Sequence, residues 1–316
     1  MPAPFEDFVF LTGLYDVQWA SHRFYADMQA RIRRVVERSG HTARQVTDLT
    51  TATLTPRATV VIDPAAILRL YARSQLERLL DTRFILILGE SPDRRRRTFL
   101  GWGGPYRRLT FRAGNLLHRV IRQAVTATWQ DEATREILRT IRGTGDAPFF
   151  PIDGYRPEDV VVESDAARDI DILLYGSLSY RRRQRFIMRL LQQAPDLRIA
   201  VCQNVFDVND LLRRSKIVVH VNSLEGCGHI PYAKIMKPLA NHKILFVEHV
   251  DELERSDLRP FVQTFTPRRF GAFLEDVRAT LRTYPAVQAT LDALNPRRLL
   301  QERYDFEANA RRLLQL

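Results

Sequence analysis

The chain has 316 residues, 45% of them apolar, and a formal net charge of +11, so two hydrophobic cores are expected rather than one, and a polyanionic partner is favoured. No apolar run approaches the roughly 20 residues that a membrane span needs, and the MPAPFEDFVFLTG start lacks the basic-then-apolar order of a signal peptide. Cys202 and Cys227 are the only cysteines and neither lies in a CxxC pair, which excludes a disulfide framework and a thiolate zinc site and leaves a cytoplasmic protein as the expectation, in the host cell if the source is viral.

Phe8 to Leu11 is a short apolar run that ends at Gly13, and helical spacing follows from Ser21 to Arg38 with a stop at Gly40. Ala58 to Ile62 is apolar and β-branched, Pro64 can begin a helix, and Ala65 to Leu80 carries helical spacing before a third strand at Phe84 to Leu88. Residues 93–112 then break the pattern with RRRRTFLGWGGPYRRLTFR, which predicts a loop; helical spacing resumes over Asn115 to Arg142. The boundary is placed near Pro151, giving an N-terminal domain over 1–150 and a C-terminal one over 151–316.

The second half repeats the alternation. Ile170 to Tyr175 is a strand that ends in GSLSYRRR, a helix runs to Gln193, and Leu197 to Cys202 is the next strand. Val208 to Arg214 is a short helix, Ile217 to Val221 a strand, SLEGCGH a loop, Ala233 to Asn241 a helix and Ile244 to Val247 a strand. The predicted fold class is α/β, with two doubly wound domains facing a central cleft at the C-terminal edges of their sheets.

Gly176 and Ser177 follow a strand and open a helix, where free backbone N–H groups and the helix dipole attract phosphate. Arg181, Arg182 and Arg183 occupy the first turn; they are either a solvated basic face or the wall of an anion site. The ordered motifs DIDILLYGSLSYRRR, NVFDVNDLLRRSKIVVHVN and AKIMKPLANHKILFVEHVDE resemble the C-terminal domain of GT-B glycosyltransferases, and the likeness spans about Gly154 to Glu252. The N-terminal half matches that family only in layout.

The resemblance implies two Rossmann-like domains and a nucleotide-sugar donor, a UDP-sugar being one candidate, held mainly by the C-terminal half. It implies that Gly176, Ser177 and Arg181 contact phosphate, that Asn204 and Val205 border the base, and that His220, Asn222 and Glu225 approach the sugar or ribose. This chain departs from the family at the helix start, with Pro231 in place of an acid and Lys234 in place of an Arg. Glu225 can substitute for the acid, and Lys234 still offers a point charge to phosphate.

An inverting transfer needs a base near the acceptor hydroxyl. Asp16, just past the first strand, and His22 at the following helix start are the candidates, with Asp63 and Glu90 after the second and third strands. No Asp-x-Asp pair or His/Asp/Glu cluster is read as a required metal site, so a metal-independent enzyme is expected.

Between Arg94 and Arg142 twelve Arg stand against three acids. Arg94, Arg95, Arg96, Arg97, Arg107, Arg108 and Arg112 are interleaved with Trp102 and Tyr106, a composition suited to nucleic-acid phosphates and exposed bases. A modified base in DNA is therefore the preferred acceptor, by analogy of task with phage DNA glucosyltransferases. A glycan acceptor, or an inactive nucleic-acid-binding protein on the same scaffold, is the alternative.

Overall fold

The computed structural model describes residues 7–11, 20–49, 54–63, 66–67, 70, 74–87, 116–127, 138–141, 154–161, 168–176, 178, 180–203, 208–222, 225 and 230–316. The chain divides into two compact units, Met1–Ile152 with Phe306–Leu316, and Asp153–Asp305. Residues 306–316 thus belong with the first unit and not with the second, to which chain order assigns them.

The first unit is built on β1 (Asp7–Leu11), β2 (Thr42–Val46), β3 (Ala58–Ile62), β4 (Arg83–Leu86) and β5 (Thr126–Ala127), all parallel in the order β2-β1-β3-β4-β5. Alternate residues serve opposite faces, as the period of a strand requires. Phe8, Phe10, Val61 and Ile85 pack with Met28, Ile32 and Val36 of α1 (Ala20–Arg38) and with Phe306, Ala310, Leu313 and Leu314 of the C-terminal helix Phe306–Leu314. Val9, Leu11, Val60, Ile62, Phe84 and Leu86 face the other way, onto Leu76 and Leu79 of α2 (Leu76–Leu80) and Val120 and Ile121 of α3 (Leu116–Gln123). Strands covered on both sides read as continuous apolar runs, which is why β1 and β3 are legible in the sequence.

The predicted helix over Asn115 to Arg142 is interrupted: α3 ends at Gln123 and the chain extends through β5. The Val125 amide donates to the Phe84 carbonyl at 2.9 Å, and the β-branched Val125 and Thr126 suit that pairing better than a helix. β2, with its Arg44 and Gln45, has no counterpart among the predicted strands because an edge strand half in solvent carries no apolar run.

The second unit holds β6 (Ile170–Tyr175), β7 (Ile199–Cys202), β8 (Ser215–His220), β9 (Ile244–Glu248) and β10 (Val262–Phe265), parallel in the order β10-β9-β8-β6-β7. One face carries Ile172, Leu174, Val219 and Phe246, packed on Phe186 and Leu190 of α4 (Arg181–Gln193) and on Phe270 and Phe273 of the helix Phe270–Arg282. Phe265 and Phe273 lie 4.5 Å apart between ring centroids. Burial of such a side chain contributes roughly 1.5–3 kcal/mol, so this aromatic layer anchors α4 and fixes where its first turn begins. The shorter helices α5 (Asn209–Arg214), α6 (Tyr232–Ala240) and α7 (Asp251–Glu254) complete the alternation up to β10.

Candidate functional site

Numbered within its own unit, each sheet has the order second, first, third, fourth, fifth. The order therefore reverses between the first and third strands, β1 and β3 in one unit and β6 and β8 in the other. Connections leave such a point toward opposite faces and open a crevice beyond the carboxyl ends of the strands, where open α/β sheets bind ligands. In the second unit the crevice is framed by Gly176, which follows β6, and by Val221 and Asn222, which follow β8.

Gly176 has φ +131°, a conformation that side chains disfavour. A Cβ placed there would lie 3.2 Å from Arg183 Nη1 and 3.4 Å from both Cε and Nζ of Lys234. Two cations from different helices thus converge on one bare backbone turn. Lys234 is held in place by Tyr175: its Nζ lies 4.6 Å from the Tyr175 ring centroid, and the Tyr175 hydroxyl donates to the Lys234 carbonyl at 3.2 Å. Arg183 is held by its Nε, which donates to the Val221 carbonyl at 2.7 Å. A small pocket lined by Leu174, Gly176, Leu178, Arg183, Val219 and Val221 adjoins this pair.

The first turn of α4 contains no acid, and its N-cap residue, Tyr180, makes no side-chain cap. Cations there oppose the helix dipole, and each arginine of the turn meets that cost differently. Arg181 is exposed to solvent. Arg182 forms a forked ion pair with Glu248 at the end of β9, Nη1 to Oε2 at 2.6 Å and Nη2 to Oε1, and Nη1 also donates to the Asn222 carbonyl at 2.8 Å. Glu248 Oε2 in turn accepts the Asn222 amide at 2.8 Å. Arg183 is the arginine that reaches Gly176.

Of the other residues singled out in the sequence, His220 and Asn222 are buried, with His220 Nε2 and Asn222 Oδ1 3.2 Å apart. Glu225 forms an exposed ion pair with Arg268. Asp63 is fully buried, accepting the Ala66 amide at 3.0 Å and Gln29 Nε2 at 2.6 Å, which is the work of a helix cap. His22 lies in α1. Asp16, Glu90, Ser177, Asn204, Val205 and the whole of 93–112, with Arg94 to Arg97, Trp102, Tyr106, Arg107, Arg108 and Arg112, fall outside the described residues.

Asp169 and Asp171 do form an Asp-x-Asp pair, but at the opposite end of β6. Asp169 accepts Arg214 Nη2 at 2.6 Å and Asp171 accepts Lys216 Nζ at 2.7 Å. Among the described residues no group of three His, Cys, Asp or Glu side chains could hold a metal ion, and no helix is long and apolar enough to cross a membrane. The sequence reading missed Tyr175, the distinct parts played by Arg182 and Arg183, and Glu248. The signal for Glu248 was present: a carboxylate that ends the buried run ILFVE needs a partner.

No family model matches the sequence, and no curated protein matches it. Solved structures do. Sucrose-phosphate synthase from Thermosynechococcus elongatus superposes with a TM-score of 0.65 at 12% identity over 98% of each chain. Anabaena HepE in complex with UDP-glucose gives 0.58, again at 12% identity over 98% of each chain. The DNA-modifying β-glucosyltransferase of phage T4, in complex with UDP and Mn2+, gives 0.54 at 11% identity over 98% of this chain and 99% of that one. The likeness covers both units and establishes the fold as that of the GT-B glycosyltransferases.

Proposed function

We propose that this chain, which has the GT-B fold, transfers a sugar from a nucleotide-sugar donor to a hydroxyl acceptor, with the donor diphosphate seated at Gly176 between Arg183 and Lys234. The observation that carries the reading is the convergence of those two cations on a glycine with φ +131° at the topological switch point of the second sheet. An anion seated at this turn would meet positive charge from both side chains. A diphosphate fits the turn because bare backbone lets its oxygens approach. UDP and UDP-glucose, bound by HepE and by the T4 enzyme, are the first donors to try.

In the transfer, the acceptor hydroxyl loses its proton to a base and its oxygen forms a bond to the anomeric carbon while the bond to the diphosphate breaks. Negative charge grows on the leaving oxygen, and Arg183 and Lys234 supply preorganised positive charge where it grows. That charge serves without a metal ion, and activity is expected to survive chelation. Asp16 is the proposed base, with His22 as the next candidate. Ser177 and Arg181 are assigned to phosphate, Asn204 and Val205 to the base edge, and His220, Asn222 and Glu225 to the sugar or ribose side.

The preferred acceptor is a hydroxylated base in DNA. The excess of Arg between Arg94 and Arg142 favours it over a glycan, and the fold is one that a DNA-modifying glucosyltransferase has, as sucrose-phosphate synthase also does. Calorimetric titration with UDP and UDP-glucose tests the donor site. Saturable binding that is weakened about tenfold or more by Lys234→Ala supports it, and absence of binding at millimolar nucleotide overturns it. Release of UDP in the presence of hydroxymethylated DNA, set against release with glycans, then separates the acceptors.

A further inference from the structure

Both backbone polar groups of Asn222 are claimed by one ion pair. Its carbonyl accepts Arg182 Nη1 at 2.8 Å and its amide donates to Glu248 Oε2 at 2.8 Å. The pair closes on itself through the Nη1–Oε2 bond of 2.6 Å. Its side chains are largely removed from water, Arg182 at 25% and Glu248 at 10% relative exposure. Asn222 is the residue from which the chain leaves the buried end of β8 toward α6. The neighbouring Val221 carbonyl is taken by Arg183 Nε at 2.7 Å, so consecutive arginines of α4 grip consecutive residues of that exit.

We infer that Arg182 and Glu248 form a clamp that fixes the exit of the chain from β8 and thereby orients the sugar end of the donor, as positioning residues and not as donor ligands. The charge of Arg182 is neutralised by Glu248 and its donors on Nη1 are already shared between two acceptors, which leaves little of it for a phosphate. Arg183, whose guanidinium reaches Gly176, carries that load instead. The three arginines of this helix start thus have different surroundings: Arg181 is solvated, Arg182 is paired with Glu248 and Arg183 lies against the Gly176 turn. A lone carboxylate at the buried end of β9 would be costly, and the clamp removes that cost by giving each Glu248 oxygen a charged partner.

The inference rests on the donor reading above, and two measurements keep their failures apart. The first is hydrogen exchange of the segment 215–222 without ligand in wild type, Arg182→Lys and Glu248→Gln. Lysine keeps the charge but lacks the fork that meets two acceptors, and glutamine keeps the shape without the charge. Exchange at Asn222 should rise at least tenfold in both variants, with α4 and β7 protected as before and the melting transition retained. The second is titration with UDP and with UDP-glucose. UDP affinity should stay within threefold of wild type, while the advantage of UDP-glucose over UDP falls at least tenfold.

Unchanged exchange at Asn222 would overturn the clamp whatever the nucleotide data say. Loss of UDP affinity comparable to that in Lys234→Ala would make Arg182 a ligand and overturn the positioning role. A wild type that binds UDP and UDP-glucose alike would overturn that role as well. A wild type that binds neither would remove the donor reading and the positioning role together, and the exchange data would still report whether the clamp exists.

Discussion

The ammonium of Lys234 lies 4.6 Å from the centroid of the Tyr175 ring, and the Tyr175 hydroxyl donates to the carbonyl of Lys234 itself at 3.2 Å. The two residues stand on different elements, the end of β6 and the first turn of α6, and each orients the other. Lys234→Ala should weaken UDP binding by about tenfold to a hundredfold, the range for loss of a charged hydrogen bond. Tyr175→Leu, which keeps the lysine but removes its ring, should cost about two- to fivefold. Calorimetry on both variants checks this, and a Tyr175→Leu loss larger than that of Lys234→Ala would contradict the arrangement.

Gly176→Ala puts a methyl group 3.2 Å from Arg183 Nη1 and 3.4 Å from Lys234 Nζ, on a backbone with φ +131°. The substitution should lower stability by more than about 1 kcal/mol because alanine resists that φ. UDP affinity should fall at least tenfold, since Arg183 must shift and the methyl group takes the place beside both cations that the diphosphate needs. Urea denaturation and nucleotide titration separate the two effects; an alanine variant with wild-type affinity would show that the turn is not where the diphosphate binds.

Asp16→Asn should lower turnover by about two orders of magnitude while leaving UDP affinity unchanged, the pattern of a lost proton acceptor. Initial rates with saturating donor, together with a UDP titration, measure both quantities. Wild-type turnover in this variant would transfer the role to His22, whose replacement by Gln is the companion experiment.

For DNA, affinity should fall steeply with salt, and replacing Arg94 to Arg97 by Gln should flatten the log–log slope by about 0.7 to 0.9 for each phosphate that is no longer neutralised. Trp102→Ala should weaken binding with little change in slope, because stacking releases few counterions. Fluorescence anisotropy across a salt series measures both effects. Equal affinity of wild type and the Gln replacement would favour the glycan acceptor.

Asp171 is drawn up by burial, but Lys216, the Arg198 amide and the Arg198 side chain outweigh this and hold its carboxyl below the usual range. Asp169 is lowered to about 2, chiefly by the hydrogen bonds from Arg214. Both pKa values are depressed on folding, so the stabilisation is complete above the unfolded value of about 3.9 and is lost as pH falls from there toward 2. Asp171→Asn should therefore destabilise the protein at pH 7, and the difference from wild type should shrink as the pH falls below about 4. Urea midpoints across that range give the answer, and a constant difference would rule out these ion pairs as the cause.

The alternation of strands and helices was legible in the amino-acid order because buried parallel strands need apolar runs, and Ala58–Ile62 and Ile170–Tyr175 have the predicted limits. The strand-to-helix turn at Gly176 was legible from the local pattern of residues, whereas Lys234 stood out only through the resemblance to the GT-B family, as a Lys in place of an Arg. What only the tertiary structure decided are relations between positions far apart in the chain. Edge strands β2 and β10 become strands through a neighbour's ladder, since their own composition, TARQV and VQTF, has no apolar run to announce them. The C-terminal helix buries Phe306 and Leu313 against β1 and α1 of the first unit, a choice of surface that amphipathic spacing cannot make. Arg181, Arg182 and Arg183 are chemically identical in sequence. They take solvent, Glu248 and Gly176 respectively because successive helix residues point about 100° apart, and the fold puts a different neighbour in each direction.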